Sequence, residues 1–134
     1  MKYLLDTNVC IVYLNRPDSN VRKCLERVSP DEIAICSVVK AELFYGAMRT
    51  RTPQRTLASQ RRFLDQFVSL PFDDQVADVY GRIRADLADL GTPIGPYDLQ
   101  IAAIALAHHL TLITHNVREF SRVRNLQIED WESE

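Results

Sequence analysis

Glycine is scarce in this chain of 134 residues: there are four, Gly46, Gly81, Gly91 and Gly95. Their positions exclude G-x-G-x-x-G and G-x-x-x-x-G-K-[ST], and with them the glycine-rich phosphate cradles of nucleotide-cofactor enzymes. Cys10, Cys24 and Cys36 contain no C-x-x-C pair and sit in apolar surroundings. They are read as buried free thiols of a reducing cytoplasm. His108 and His109 are adjacent and splay about 100° apart if helical, and His115 stands alone, so a structural zinc site is not expected. Long hydrophobic runs are missing too. The longest is Ile101 to Ala107, and the opening Met-Lys-Tyr-Leu-Leu-Asp meets a carboxylate before a signal-peptide core can build. A cytoplasmic protein without a membrane partner is expected. Neither sign of charge dominates: 16 basic against 18 acidic side chains leave a formal −2. No global field recruits nucleic acid, so such a partner must be held by a local patch.

What is present is an ordinary globular composition, 46% hydrophobic and 25% charged, sized for one domain over residues 1–134. Short apolar runs at Tyr3 to Leu5, Ile33 to Cys36, Ser69 to Phe72, Leu110 to Thr114 and Leu126 to Ile128 alternate with helix-period stretches. Val21, Cys24, Leu25 and Val28 mark one helix face, and Val76, Val79, Tyr80, Ile83, Leu87 and Leu90 another, with Asp73 or Asp74 as its cap. Ala102 to Ala107 is apolar all round and predicts a helix sandwiched inside the domain, entered through the rigid turn Gly91 to Pro96. The pattern implies an α/β fold with a mainly parallel sheet covered on both faces.

Open α/β sheets bind ligands beyond the carboxyl ends of their strands. Asp6 follows the first strand and Asn116 follows the strand ending at Thr114. Helices running back from the sheet start at the same rim. Ser37 is the expected N-cap after the second strand, which sets Glu42 in the early turns of its helix, and Asp98 lies in the first turn of the buried one. Carboxylates gathered in a small volume repel one another and need a cation. Their oxygens suit Mg²⁺ or Mn²⁺, and such an ion serves phosphodiester hydrolysis. Each residue also has a plain structural use: Asp6 and Asp98 as helix caps, Glu42 as a solvated charge, Asn116 as a turn residue.

Leu4-Leu5-Asp6-Thr7-Asn8, then Ser37-Val-Val-Lys-Ala-Glu42-Leu43 with Gly46, then Pro93-Ile-Gly-Pro-Tyr-Asp98-Leu-Gln-Ile-Ala102, then Thr114-His-Asn116-Val-Arg-Glu119-Phe120, resemble in order and spacing the PIN-domain ribonucleases, most closely the VapC toxins. The resemblance covers essentially the whole chain. It implies a three-layer α/β/α fold and Mg²⁺- or Mn²⁺-dependent endoribonuclease activity on structured RNA such as tRNA or ribosomal RNA, which inhibits translation. It implies cleavage to a 5′-phosphate and a 3′-hydroxyl, homodimers, and neutralisation by a VapB antitoxin that places an arginine among the acids. Position by position, Asp6, Glu42 and Asp98 match the family's three acidic site residues, with Asp6 and Asp98 in direct metal contact. The fourth position departs: Asn116 stands where many members have Asp, and Glu119 is the other possible fourth acid. Thr7, Asn8, Ser37 and Thr114 match small polar neighbours that orient carboxylates, water or phosphate.

From Leu43 to Leu64 there are five arginines, Arg49, Arg51, Arg55, Arg61 and Arg62, and no acid. This stretch is expected to contact RNA phosphates, with Arg118, Arg122 and Arg124 adding a second contact near Asn116. Phe44, Tyr45, Met48, Phe63 and Phe67 offer more apolar surface than a small sheet needs, so a partly exposed patch is expected beside core packing. Two alternatives stay open. Asn116 leaves room for a PIN-like binding module that does not cleave. A phosphatase of the haloacid dehalogenase type also starts with an Asp after a strand, but it needs Asp-x-Asp and a positioned lysine, against Asp6-Thr-Asn8 and three lysines here.

Overall fold

The computed structural model describes residues 1–133. In chain order it contains β1 (Tyr3–Leu5), α1 (Thr7–Asn15), α2 (Asn20–Glu26), a 3-10 turn (Pro30–Glu32), β2 (Ile33–Cys36), α3 (Ser37–Met48), α4 (Pro53–Leu64), β3 (Val68–Leu70), α5 (Asp74–Asp89), α6 (Pro96–Ala107), β4 (Thr111–Ile113), α7 (Val117–Phe120) and β5 (Ile128–Glu129). The strands form one sheet in the order β3-β2-β1-β4-β5. Every pairing is parallel. β2 is buried along its whole length, as a strand flanked by strands and covered by helices must be.

The chain steps from β1 outward to β3, then crosses back to β4 and β5. Because such crossovers are right-handed, this reversal sends α1 to α4 to one face and α5 to α7 to the other. The helix contacts agree: α1 packs on α2, α3 and α4, whereas α5 packs on α6. The result is the expected three-layer α/β/α arrangement. Ile101 to Ala105 of α6 have no exposed surface, because α6 lies between α5 and β4. Ala102, Ala103 and Ala105 let it sit close.

β1 and β2 coincide with the apolar runs, whereas the bounds of β3, β4 and β5 differ from theirs by one or two residues. β3 ends at Leu70 rather than Phe72, and β5 begins at Ile128, where the run Leu126 to Ile128 ends. Apolar side chains continue to pack after ladder pairing has stopped, so burial overstates strand length. His108 and His109 do not splay on a helix. α6 stops at Ala107, and His109 takes a left-handed φ of 55° while Leu110 N–H returns to the Ala105 carbonyl at 2.9 Å. That closes the helix end as glycine usually does.

α5 is tied at both ends. Asp73, not Asp74, is its N-cap, accepting from Val76 N–H at 3.0 Å. At the other end Gly91, with φ 68°, donates to Ala88, and Thr92 donates to Leu87. Asp73→Ala is expected to lower folding stability by about 1 kcal/mol, the usual loss on removing such a cap, measured by urea denaturation.

Candidate functional site

The reversal of strand order falls between β1 and β4, where doubly wound sheets open a crevice. Asp6 leaves β1 there and is only 5% exposed. It is the N-cap of α1, its Oδ1 accepting from Thr7 N–H at 2.8 Å. Its Oδ2 accepts from the Thr114 hydroxyl, also at 2.8 Å, across the join between β1 and β4. Thr7 then donates its hydroxyl to Glu42 Oε1 at 2.7 Å. One short chain of hydrogen bonds thus links the ends of β4 and β1 to the middle of α3.

Glu119 is fixed independently. Its Oε1 accepts from Gly95 N–H at 2.9 Å and its Oε2 from Asn116 Nδ2 at 3.0 Å, while Asn116 N–H donates to Thr114 Oγ1. The alternatives of Asn116 or Glu119 are therefore joined: the amide positions the carboxylate. These bonds hold the Glu119 acid below its ordinary range, the Gly95 N–H contributing most. Asp98, in the first turn of α6, is pushed up to about 6, first by burial and then by the charges of Asp6, Glu119 and Glu42. The neighbouring Glu119 carboxylate adds to that rise. Burial raises Asp6 as well, and Glu42 and Glu119 add to the rise against its two hydrogen bonds. Cys36 lies in the same field, its thiol raised to about 11, mainly by burial.

Four acids from four places in the sequence thus feel one another's charge. Among the described residues, the ion pairs involve other acids: Asp78, Asp86, Asp130 and Glu132. The donor set is all oxygen, and among the described residues it forms no ion pair, Arg122 alone adding positive charge near Glu119. No three His, Cys, Asp or Glu side chains among the described residues already form a metal cage. The set fits a hard divalent cation that reaches the protein through one or two carboxylates and keeps several waters.

Two of the polar neighbours are placed differently from expectation. Ser37 is not an N-cap. Cys36 holds that position with extended backbone, and Ser37 is the first residue of α3, lining a groove beside Glu42. The chain passes from β2 to α3 with no loop, so the last strand residue serves as the cap. Asn8 is exposed on α1. It takes no part in the hydrogen bonds that tie Asp6, Thr7, Glu42 and Thr114.

The five arginines between Leu43 and Leu64 are all exposed. Arg61 stacks over Phe44 at 4.8 Å, and Arg55 shares with Glu42 a groove of about 470 Å³ between α1, α3 and α4. Arg118 is exposed beside Glu119. Arg122 and Arg124 are partly occupied, reaching the Pro93 carbonyl at 3.4 Å and Asp86 at 3.6 Å. Of the apolar group on this helix pair, Tyr45 and Met48 are exposed, Phe44 and Phe67 are half-buried, and Phe63 is core.

The PIN domain family model matches residues 3–126. The tRNA(fMet)-specific endonuclease VapC of Salmonella typhimurium is 39% identical over 131 residues, 98% of each chain. Ribonuclease VapC2 of Rickettsia felis is 36% identical, covering 98% of this chain and 99% of that one. The chain belongs to the PIN-domain family, in its VapC ribonuclease branch. Solved structures agree. The DNA-bound VapBC of Salmonella typhimurium superposes with a TM-score of 0.92 at 39% identity over 98% of both chains. VapBC2 of Rickettsia felis bound to a promoter DNA fragment gives 0.91 at 35% identity over 98% of this chain and 99% of that one. PIN-domain nucleases generally use divalent metal ions, in keeping with the oxygen-rich cluster. Membership sets aside the phosphatase reading.

Sequence reasoning missed the Gly95 N–H that anchors Glu119, because a backbone donor leaves no trace in residue identity. It also gave no role to Tyr97 and Gln100, which line the groove beside Glu42. Their neighbour Asp98 was the available signal.

Because the Asp98 carboxyl stands at about 6 in the folded chain against an ordinary 3.8, the folded state keeps a proton that the unfolded chain has released. Its contribution to stability is therefore full below 3.8 and is lost as pH rises to about 6. Asp98→Asn is expected to melt above the wild type at neutral pH in EDTA and together with it in acid, as thermal melts across this range would show.

Proposed function

We propose that this chain is a VapC-type toxin that hydrolyses a phosphodiester of structured RNA, tRNA first, and thereby inhibits translation. The observation that carries the reading is the gathering of Asp6, Glu42, Asp98 and Glu119 at one sheet edge, with no ion pair to any of them among the described residues. tRNA is favoured because a 39%-identical relative is named for tRNA(fMet). The activity resides in one PIN domain over residues 1–134 and in the cytoplasm; among the described residues no helix is long and apolar enough to cross a membrane.

Asp6 and Asp98 would hold a Mg²⁺ or Mn²⁺ ion, with Glu42 assisting. When bound, such an ion supplies the positive charge that polarises a phosphoryl oxygen and makes a water more acidic. The Thr114 hydroxyl and Thr7 N–H keep Asp6 Oδ2 and Oδ1 in fixed directions, and the Thr7 hydroxyl does the same for Glu42 Oε1. Glu119 stays ionised, and Asn116 holds it without adding charge. Cleavage leaves a 5′-phosphate and a 3′-hydroxyl.

The partner that silences this site is a VapB antitoxin, in keeping with the VapBC complexes among the solved relatives. An arginine from it, seated among the acids, would supply the missing positive charge and close the site to RNA. The toxin pairs with itself within that assembly. Arg49, Arg51, Arg55 and Arg118 contact RNA phosphates.

Asp6→Ala, Glu42→Ala and Asp98→Ala are each expected to keep the fold by circular dichroism and to lose RNA cleavage by at least about 10²-fold, and EDTA is expected to abolish wild-type cleavage. Full cleavage by Asp98→Ala would end the assignment. RNA binding without Mg²⁺-dependent cleavage would instead identify a binding module.

Replacing Arg49, Arg51 and Arg55 together by Ala is expected to weaken RNA binding. It should also flatten the slope of log K against log salt by about 2, the loss of three phosphate contacts on a single strand. An unchanged slope sinks the placement of RNA on this face.

A further inference from the structure

A groove of about 600 Å³ opens beside Glu42, between α3 and α6. Glu42 and Ser37 lie in its wall, so it is continuous with the carboxylates. Two aromatic side chains line it as well, Tyr45 at 68% exposure and Tyr97 at 59%. Each stands beside a site acid: Tyr45 follows Glu42 by one turn on the same helix face, and Tyr97 immediately precedes Asp98. Neither forms an aromatic pair or a cation–π contact among the described residues, unlike Tyr3, Tyr13 and Tyr80. Val38 and Ala41 make the groove apolar between them, and Gln100 adds an amide with donors and an acceptor.

Resting on the endoribonuclease reading, we propose that Tyr45 and Tyr97 form a stacking platform for an unpaired base of the RNA next to the scissile phosphate, with Gln100 hydrogen-bonding the edge of that base. The volume lies within the roughly 300–1,000 Å³ of pockets that enclose a small ligand. Exposed aromatic faces with one amide beside them match how proteins hold splayed RNA bases, by stacking and by edge hydrogen bonds. Glu42 lies in the wall of this groove and also in that of the separate groove lined by Arg55. An RNA strand crossing the acids would therefore meet phosphate contacts in one groove and base contacts in the other. Tyr45 and Tyr97 are positioning residues in this arrangement, and Gln100 determines base preference.

The test uses the full chain and single-stranded RNA carrying iodouracil at successive positions, irradiated with the protein in EDTA so that binding is read without cleavage. Photocrosslinks mapped by mass spectrometry should fall on Tyr45 or Tyr97. In the presence of Mg²⁺, Tyr45→Ala and Tyr97→Ala should raise KM about tenfold or more with a smaller change in kcat, the scale of one lost stacking contact. Tyr45→Phe and Tyr97→Phe should restore KM, since the ring and not the hydroxyl stacks. Gln100→Ala should alter the preferred base at one position while cleavage continues. Crosslinks elsewhere, with KM unchanged in both alanine variants, would overturn the platform. So would alanine variants that pass from dimer to monomer by light scattering with KM per chain unchanged, since the groove would then seat a second copy. A wild-type protein that cuts no RNA overturns the endoribonuclease reading itself; a wild-type protein that cuts RNA through variants with unaltered KM overturns only the platform.

Discussion

Asp6 stands at the end of a strand paired on both sides, nearly without solvent, and three further acids are held within reach of its field. Burial and mutual repulsion both oppose ionisation there, and the fold tolerates this because donors are fixed around the charges. Thr7 and Thr114 each give a hydroxyl, Gly95 and Thr7 each give a backbone N–H, and Asn116 gives an amide. What these donors leave over is net negative charge. Asp98, with no hydrogen-bond donor among the described residues, is the acid raised most clearly.

The same atoms hold the fold together. Asp6 caps α1 with one carboxylate oxygen and bridges to β4 with the other, so a capping role and a place in the acid cluster are not exclusive. Asn116 follows the same logic. It sits at the start of α7 three residues before Glu119, the spacing at which a first helix residue and a later acid meet, and its amide turns that local contact into an anchor for a site carboxylate. A charge-neutral residue at this position removes one acid and steadies another.

Much of the fold was legible because burial and periodicity act locally. Tyr3 to Leu5 and Ile33 to Cys36 are strands with the expected bounds, and the all-apolar stretch after Pro96 is a helix between two layers. Asp98 in the first turn of that helix was legible for the same reason. Ser37 was misread because a strand running directly into a helix makes its own last residue the cap, and no residue type announces that. His109 was misread because its left-handed backbone is imposed by the return of the chain to β4 rather than by histidine's own preference. The pairing of Asn116 with Glu119 was available in the spacing, whereas the Gly95 N–H was not, since every residue but proline carries one.

By itself the sequence determined which side chains could carry charge to the end of a strand or the start of a helix, since those positions follow from short-range pattern and capping chemistry. It also determined that basic charge is concentrated in one acid-free arginine stretch. Only the tertiary structure decided that β4 lies beside β1, so that Thr114 reaches Asp6 across 108 positions, and that α3 meets α6 with Tyr45, Tyr97 and Glu42 lining the groove between them. Strand order and helix packing are set by which apolar faces can be buried together across the whole chain. That is a long-range balance, and no local pattern encodes it.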